Sequence, residues 1–175
     1  EIDAAIDAYE AALDIDPDYF EAHCNLANRL SDRGRTADAI QHYRTALDLR
    51  PGIAAAHNGL GLALEATGER ELAIEQYRLG IAADPKRSEA HANLAAAYAK
   101  SGRTDDAIEE FTRALRLPPE YAEVHRNFAW LLYGIGRYGE AVDQFDAVLR
   151  LRPDDAVTRC DRARALARSD PDRDR

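Results

Sequence analysis

Apolar residues recur along this chain three and four apart, in short bursts that a glycine or a proline closes. The first burst, Ile2, Ala5, Ile6, Tyr9, Ala12 and Leu13, falls on one face of a helix over residues 1–17, which Asp16 and Pro17 end. A helix over about 20–33 then turns Ala22, Leu26, Ala27 and Leu30 inward, and Gly34 offers the left-handed residue that closes a helix C-terminus. The next, over about 36–49, carries Ala39, Ile40, Tyr43, Ala46 and Leu47, with Thr36 as its expected N-cap and Pro51 as its stop. The same pair is written three more times, as Leu60, Gly61, Leu64 with Ala73, Ile74, Tyr77, Gly80, Ile81, as Leu94, Ala95, Tyr98 with Ala107, Ile108, Phe111, Ala114, Leu115, and as Phe128, Ala129, Leu132 with Ala141, Val142, Phe145, Val148, Leu149. A tenth helix follows Pro153. The pattern predicts an all-α chain of about ten helices, with breaks near residues 18, 34, 52, 68, 86, 102, 120, 136 and 154.

One spacing governs these bursts. Pro17, Pro51, Pro85, Pro119 and Pro153 stand 34 residues apart, and Gly34, Gly68, Gly102 and Gly136 keep the same beat, as do His23, His57, His91 and His125. A fixed period of this size marks an α-solenoid, in which each unit packs only on its neighbours. Small residues alternate with large ones because two helices approach closely only where one offers Ala or Gly and the other inserts an aromatic ring or Leu. The register divides the chain into the second helix of a truncated repeat at 1–17, four full repeats at 20–53, 54–87, 88–121 and 122–155, and a capping helix at 156–168. In that last helix Arg162 replaces the large apolar residue and Arg159 replaces the histidine, as suits an outer face that meets water. Residues 169–175 have nothing to bury and are expected to be disordered. The chain opens without Met and inside a repeat, so it is expected to be a fragment whose first helix leaves Ile2, Ile6 and Tyr9 partly bare, or covers them by self-association.

The residues His57, Leu60, Gly61, Leu64, Ala73, Tyr77, Gly80 and Pro85 form a pattern that resembles the tetratricopeptide repeat, and the resemblance extends over residues 1–168. The chain departs from that family at the first signature position, where His stands four times in place of the frequent Trp. The resemblance implies antiparallel helix pairs stacked in a right-handed superhelix, the first helix of each pair lining a concave groove. Cys24-Asn25-Leu26-Ala27-Asn28, Ala92-Asn93-Leu94-Ala95 and Arg126-Asn127-Phe128-Ala129 are further similar to the repeats of O-linked N-acetylglucosamine transferases. There an Asn before the signature Leu forms a ladder that bonds a peptide backbone. By that likeness the ladder here is Asn25, Asn93 and Asn127, interrupted by Gly59, with Asn58 one residue early.

Composition changes this picture only at its edges. Of 175 residues 46% are hydrophobic, enough for a core, and the net charge of −9 makes nucleic acid a poor partner, because phosphate binding rests on clustered Lys and Arg. The charge is uneven, with seven acids and no base in residues 1–19, and eight arginines against six aspartates in 150–175. No apolar run reaches the roughly 18 residues a membrane span needs. Cys24 and Cys160 lie four periods apart, too far to pair, and two free thiols suit a reducing, cytoplasmic setting.

The candidate chemistry is that of binding. The four equivalent histidines sit a repeat apart, roughly 10 Å on the packing distance of helices. A zinc site holds its ligands within about 2.3 Å of one ion. They are expected to half-bury their rings at the seams, with His42 off register and exposed. No catalytic constellation, cofactor motif or metal site stands out. An amide pairs with any peptide backbone, so Asn25, Asn28, Asn58, Asn93 and Asn127 are groove candidates; bonding to a neighbouring repeat is the alternative. Register puts Leu62, Trp130 and Tyr133 on the same side, with Arg126 one turn below, unless Trp130 packs on the capping helix instead. Glu21, Glu89 and Glu123 should share that face and favour a neutral or basic protein or peptide. The sequence therefore predicts a non-enzymatic interaction scaffold; the alternatives are the substrate-recruiting arm of a larger enzyme, such as a peptide O-glycosyltransferase, and a structural spacer.

Overall fold

The computed structural model describes residues 1–169. These form ten helices: α1 (Ile2–Ile15), α2 (Phe20–Asp32), α3 (Thr36–Leu49), α4 (Ala54–Ala66), α5 (Arg70–Ala83), α6 (Ser88–Lys100), α7 (Thr104–Leu115), α8 (Ala122–Gly134), α9 (Tyr138–Leu151) and α10 (Ala156–Ser169). There is no strand among the described residues, and no helix runs through a predicted break. The expected disorder of the tail lies outside the described residues from 170 onward, while Ser169 closes α10. No described helix is long and apolar enough to cross a membrane.

Two kinds of residue punctuate the stack. Gly34, Gly68, Gly102 and Gly136 all have positive φ, between 74° and 86°, which a residue with a Cβ rarely adopts. The backbone then turns straight into the next helix, and the amide after each glycine reaches back into the previous one, as Arg35 does to the Leu30 carbonyl at 2.9 Å. Thr36 does not cap α3 as expected. Arg35 occupies the N-cap and no side chain bonds the free amides, because the tight turn leaves Thr36 already helical. The shortest odd-numbered helix is α7, at 12 residues against 14 for the others. Its sequence explains this: Pro118 and Pro119 push the residues before them out of the helical region.

Successive helices pack as antiparallel pairs, and each pair packs on the next. The even helices α2, α4, α6 and α8 also touch one another from repeat to repeat, while the odd helices make no comparable contact among the described residues. The stack therefore bends toward the even helices, and these line its concave side. The core divides at α6. Leu94, Ala97 and Tyr98 join a cluster with Leu26, Tyr43, Leu60 and Tyr77, whereas Ala92 and Ala95 join one with Phe111, Phe128 and Phe145. The seam between α7 and α8 is the thinnest of those between repeats.

Two expectations about single residues are corrected. Ile6 is not bare but buried, because the Ile2, Ile6, Leu13 stripe of α1 packs on the next helix rather than facing a missing one. His42 is not free in solvent but half-buried, with its Nδ1 at 2.9 Å from Nδ1 of His23. The four repeat histidines are themselves buried more deeply than a half-sunk ring. Nε2 of His23, His57 and His91 donates to the carbonyl of Pro17, Pro51 and Pro85 at 3.0, 2.8 and 3.1 Å. Their Nδ1 atoms meet His42, Gln76 and Glu110 on the second helix of the pair. His125 instead bonds Gln144 and Glu120 at 2.8 Å each. Each ring thus ties a loop, a first helix and a second helix together, and has no nitrogen left for a metal.

Candidate functional site

Between α2, α4 and α6 the concave side holds an open cavity of about 410 Å³. Its construction begins with a ring. The aromatic of α3, Tyr43, is buried to its hydroxyl, which emerges on the concave side and donates to Oδ1 of Asn28 at 2.6 Å. Burial pushes its pKa up, so it stays a neutral donor. The ring also fixes the residue opposite. A Cβ on Gly59 would lie 2.5 Å from the Tyr43 ring carbon that bears the hydroxyl, so a side chain at this ladder position requires the ring to shift. The next repeat repeats the arrangement with a charge: the Tyr77 hydroxyl donates to Glu65 at 2.8 Å, and burial, then the Glu65 carboxylate, raises its pKa. Lys100 closes on the same carboxylate at 3.1 Å.

Above this floor the predicted amides separate into two kinds. Asn58 is largely buried but still lines the cavity. Its Oδ1 accepts from Asn93 at 2.9 Å, and its amide nitrogen reaches toward Glu89 at 3.5 Å. Asn93 thereby bonds its neighbour repeat, as the alternative reading of the amides had it. Asn25, Asn28 and Asn127 remain exposed. The uniform ladder does not form, because an Asn one residue early draws the next one down onto itself. Leu62, 44% exposed, gives the cavity an apolar wall.

The C-terminal part of the same side is aromatic. Trp130 is 37% exposed and packs edge-on against Tyr133 and Phe145, with ring centroids at 5.5 and 5.7 Å. Tyr133 meets Tyr138 in turn at 5.2 Å. The Arg164 guanidinium of α10 lies 5.8 Å from the Trp130 ring centre, so the ring is both groove surface and neighbour to the last helix. Arg126, the one cation proposed to meet a ligand, is engaged: it binds Asp155, with Glu123 at 3.7 Å. Arg152 also holds Glu123 at 2.6 Å. The rim is acidic at Glu21 and Glu89, both exposed, and largely neutralised at Glu123. Sequence reading missed Tyr43 and Tyr77 as groove residues, although their hydroxyls, where the later repeats carry Phe111 and Phe145, were the available signal.

A family model described as a tetratricopeptide repeat matches residues 24–88 and again 89–156, and one described as a TPR repeat matches residues 1–31. No curated protein matches the chain. Among solved structures, MamA is similar at 26% identity and a TM-score of 0.77, over 93% of this chain and 91% of that one. TTC0263, a thermophilic TPR protein of Thermus thermophilus, is similar at 26% identity and a TM-score of 0.77, over 94% of this chain and 90% of its own. YrrB, described as a TPR protein with an unusual peptide-binding site, shares the fold at 18% identity and a TM-score of 0.75, over 93% and 84% of the two chains.

Proposed function

The chain belongs to the tetratricopeptide repeat family, and on that premise we propose that it is an interaction scaffold which holds an extended, neutral or basic segment of a partner protein along its concave side. The observation that carries this reading is the pairing, on one face, of a cavity lined by Asn28, Tyr43 and Leu62 with an aromatic patch at Trp130 and Tyr133. The two lie two to three repeats apart, roughly 20–30 Å by helix-packing distances. About six to nine extended residues span that length. Exposed Glu21 and Glu89 favour a positive segment, and Arg126 is already engaged by Asp155, although Arg29 and Arg87 also line the cavity.

The aromatics set affinity in this reading and the free amides set direction. Aromatic burial is worth several kcal/mol before ordering costs, whereas a neutral hydrogen bond exchanged against water nets about 0.5–1.5 kcal/mol. A ladder of Asn25, Asn93 and Asn127 of the glycosyltransferase kind gains no support, since Asn93 already donates to Asn58. The test is selection from a randomised peptide library, followed by calorimetric titration of the selected peptide. Trp130→Ala is expected to weaken binding by about 2 kcal/mol, roughly thirtyfold, with Asn25→Ala or Asn127→Ala costing much less. Circular dichroism establishes that the variants stay helical. Selection of acidic peptides, or binding by helical Trp130→Ala equal to that of the parent, overturns the reading.

A further inference from the structure

One helix on the outer side of the stack departs from the repeat. In α3, α7 and α9 the arginine at the N-cap pairs with an acid three residues on: Arg35 with Asp38, Arg103 with Asp106 and Arg137 with Glu140, at 2.7, 2.8 and 2.6 Å. In α5 the same two places hold Glu69 and Leu72. Seven residues on, Leu79 stands where α3 has Thr45, α7 has Arg113 and α9 has a buried Ala147. Ala82 stands where the equivalents are Asp48, Arg116 and Arg150. Leu72 and Leu79 are 43% and 44% exposed, and Ala82 is exposed as well. Helix faces recur after seven residues, so the three form one apolar strip along α5. The helices before and after, α4 and α6, both pack on α5 and leave this strip open, so it is a surface of the intact stack.

Charge says what the strip fits. Glu71 and Arg78 are exposed and seven residues apart, so they lie along one edge of it, while Glu75 lies between the leucines. None of the three forms an ion pair among the described residues. Turned end for end, the same helix carries Arg78 where Glu71 was and Glu71 where Arg78 was. An antiparallel crossing of two α5 helices about a two-fold axis therefore lays one apolar strip on the other and makes two Glu71–Arg78 pairs at once. The Glu75 side chain is long enough to reach Arg78 across the same junction. We propose that the outer face of α5 is an isologous interface whose occupant is α5 of a second copy of this chain. An open groove of about 570 Å³ between α5 and α7, lined by Ile74, Leu79, Ala82 and Arg103, borders the strip and gives the second helix room. One helix of 14 residues on each side makes a small contact, below the roughly 1,200 Å² that divides stable from transient interfaces, so the dimer is weak. The two-fold closes the pair and leaves both concave sides free.

The experiment is sedimentation equilibrium on the 175-residue chain up to millimolar concentration. Mass is expected to rise toward twice that of the monomer and to stop there. Leu72→Asp with Leu79→Thr copies the outer face of α3 and is expected to leave the chain monomeric. Glu71→Arg alone and Arg78→Glu alone each set like charges together twice, and each is expected to weaken dimerisation about tenfold or more. Mixed, these two variants are expected to pair with one another as tightly as the parent does, because every charge then meets its opposite. The double exchange Glu71→Arg with Arg78→Glu is expected to restore the parent dimer. If the leucine substitutions cost helicity by circular dichroism, the charge variants, all at exposed positions, carry the test alone. A parent that stays monomeric at every concentration, growth beyond a dimer, a dimer unchanged in the helical leucine variant, or a mixture of charge variants that pairs no better than either alone overturns the proposal. Peptide titration into a monomeric variant tests the groove separately, since α5 does not line the concave side.

Discussion

The first two full repeats and the last two follow one packing rule and yet present different surfaces to a partner. In α3 and α5 the buried aromatic is a tyrosine, and in α7 and α9 it is a phenylalanine. The added oxygen cannot stay unpaired in a core, so each tyrosine demands a polar group on the even helix above it: Asn28 for Tyr43, Glu65 for Tyr77. Phe111 and Phe145 make no such demand, and the concave side beside them carries Ala96 and Ala99, then Trp130 and Tyr133. One atom in the interior thus requires a polar partner at Asn28 and Glu65 that the later repeats do without. The buried scaffold and the binding face are not independent layers.

The largest test of that division is Phe145→Ala. The ring is fully buried and braces Trp130, so its loss should cost about 3–5 kcal/mol. Because the core splits at α6, amide hydrogen exchange should quicken across α8 to α10 and leave α2 to α4 as slow as before. Equal loss of protection at both ends would mean one cooperative core instead of two. Next in size is a pair of glycines. Gly59→Ala drives a methyl into the Tyr43 ring and should destabilise by about 1–3 kcal/mol in urea unfolding. Gly139→Ala, in α9 with nothing within 4 Å of the added carbon, should stabilise by about 0.5–1 kcal/mol. If Gly59→Ala is harmless, Tyr43 does not dictate the ladder position.

The smallest effect is one of pH and belongs to the N-terminal side alone. Burial, and then the neighbouring His23, lower the pKa of His42 below the ordinary 6.5, against the opposite pull of Asp38 and Glu10. Its neutral form is the one the fold favours, so its contribution is present above pH 6.5 and is lost as pH falls below that value. His42→Gln copies Gln76 and Gln144 at the same repeat position, keeps a partner for His23, and should flatten the fall in urea midpoint between about pH 8 and pH 5. A variant as acid-sensitive as the parent removes His42 as the cause.

The register was legible because its markers act locally: a proline ends a helix and a glycine turns it wherever they stand, without knowledge of the neighbours. The groove was legible only as a set of faces. Asn93, and Asn58 one residue early, were both groove candidates, but their fates depend on a bond between repeats that no single helix encodes. Arg126 read as a free cation because its partner, Asp155, lies beyond the whole of α9 in sequence. The fate of Ile6 turned on which of its two neighbours a second helix favours, a question of packing order rather than of hydrophobicity.

The short α7 and its thin seam to α8 give the stack a mechanical character. Repeats coupled only to their neighbours behave as springs in series, and in a series load every joint carries the same force while the softest takes most of the extension. A partner that pulls on the solenoid, or wraps it more tightly, should therefore change its pitch mainly at this one joint. The Asn28 cavity and the Trp130 patch lie on opposite sides of it, so their separation is the length that such bending would tune.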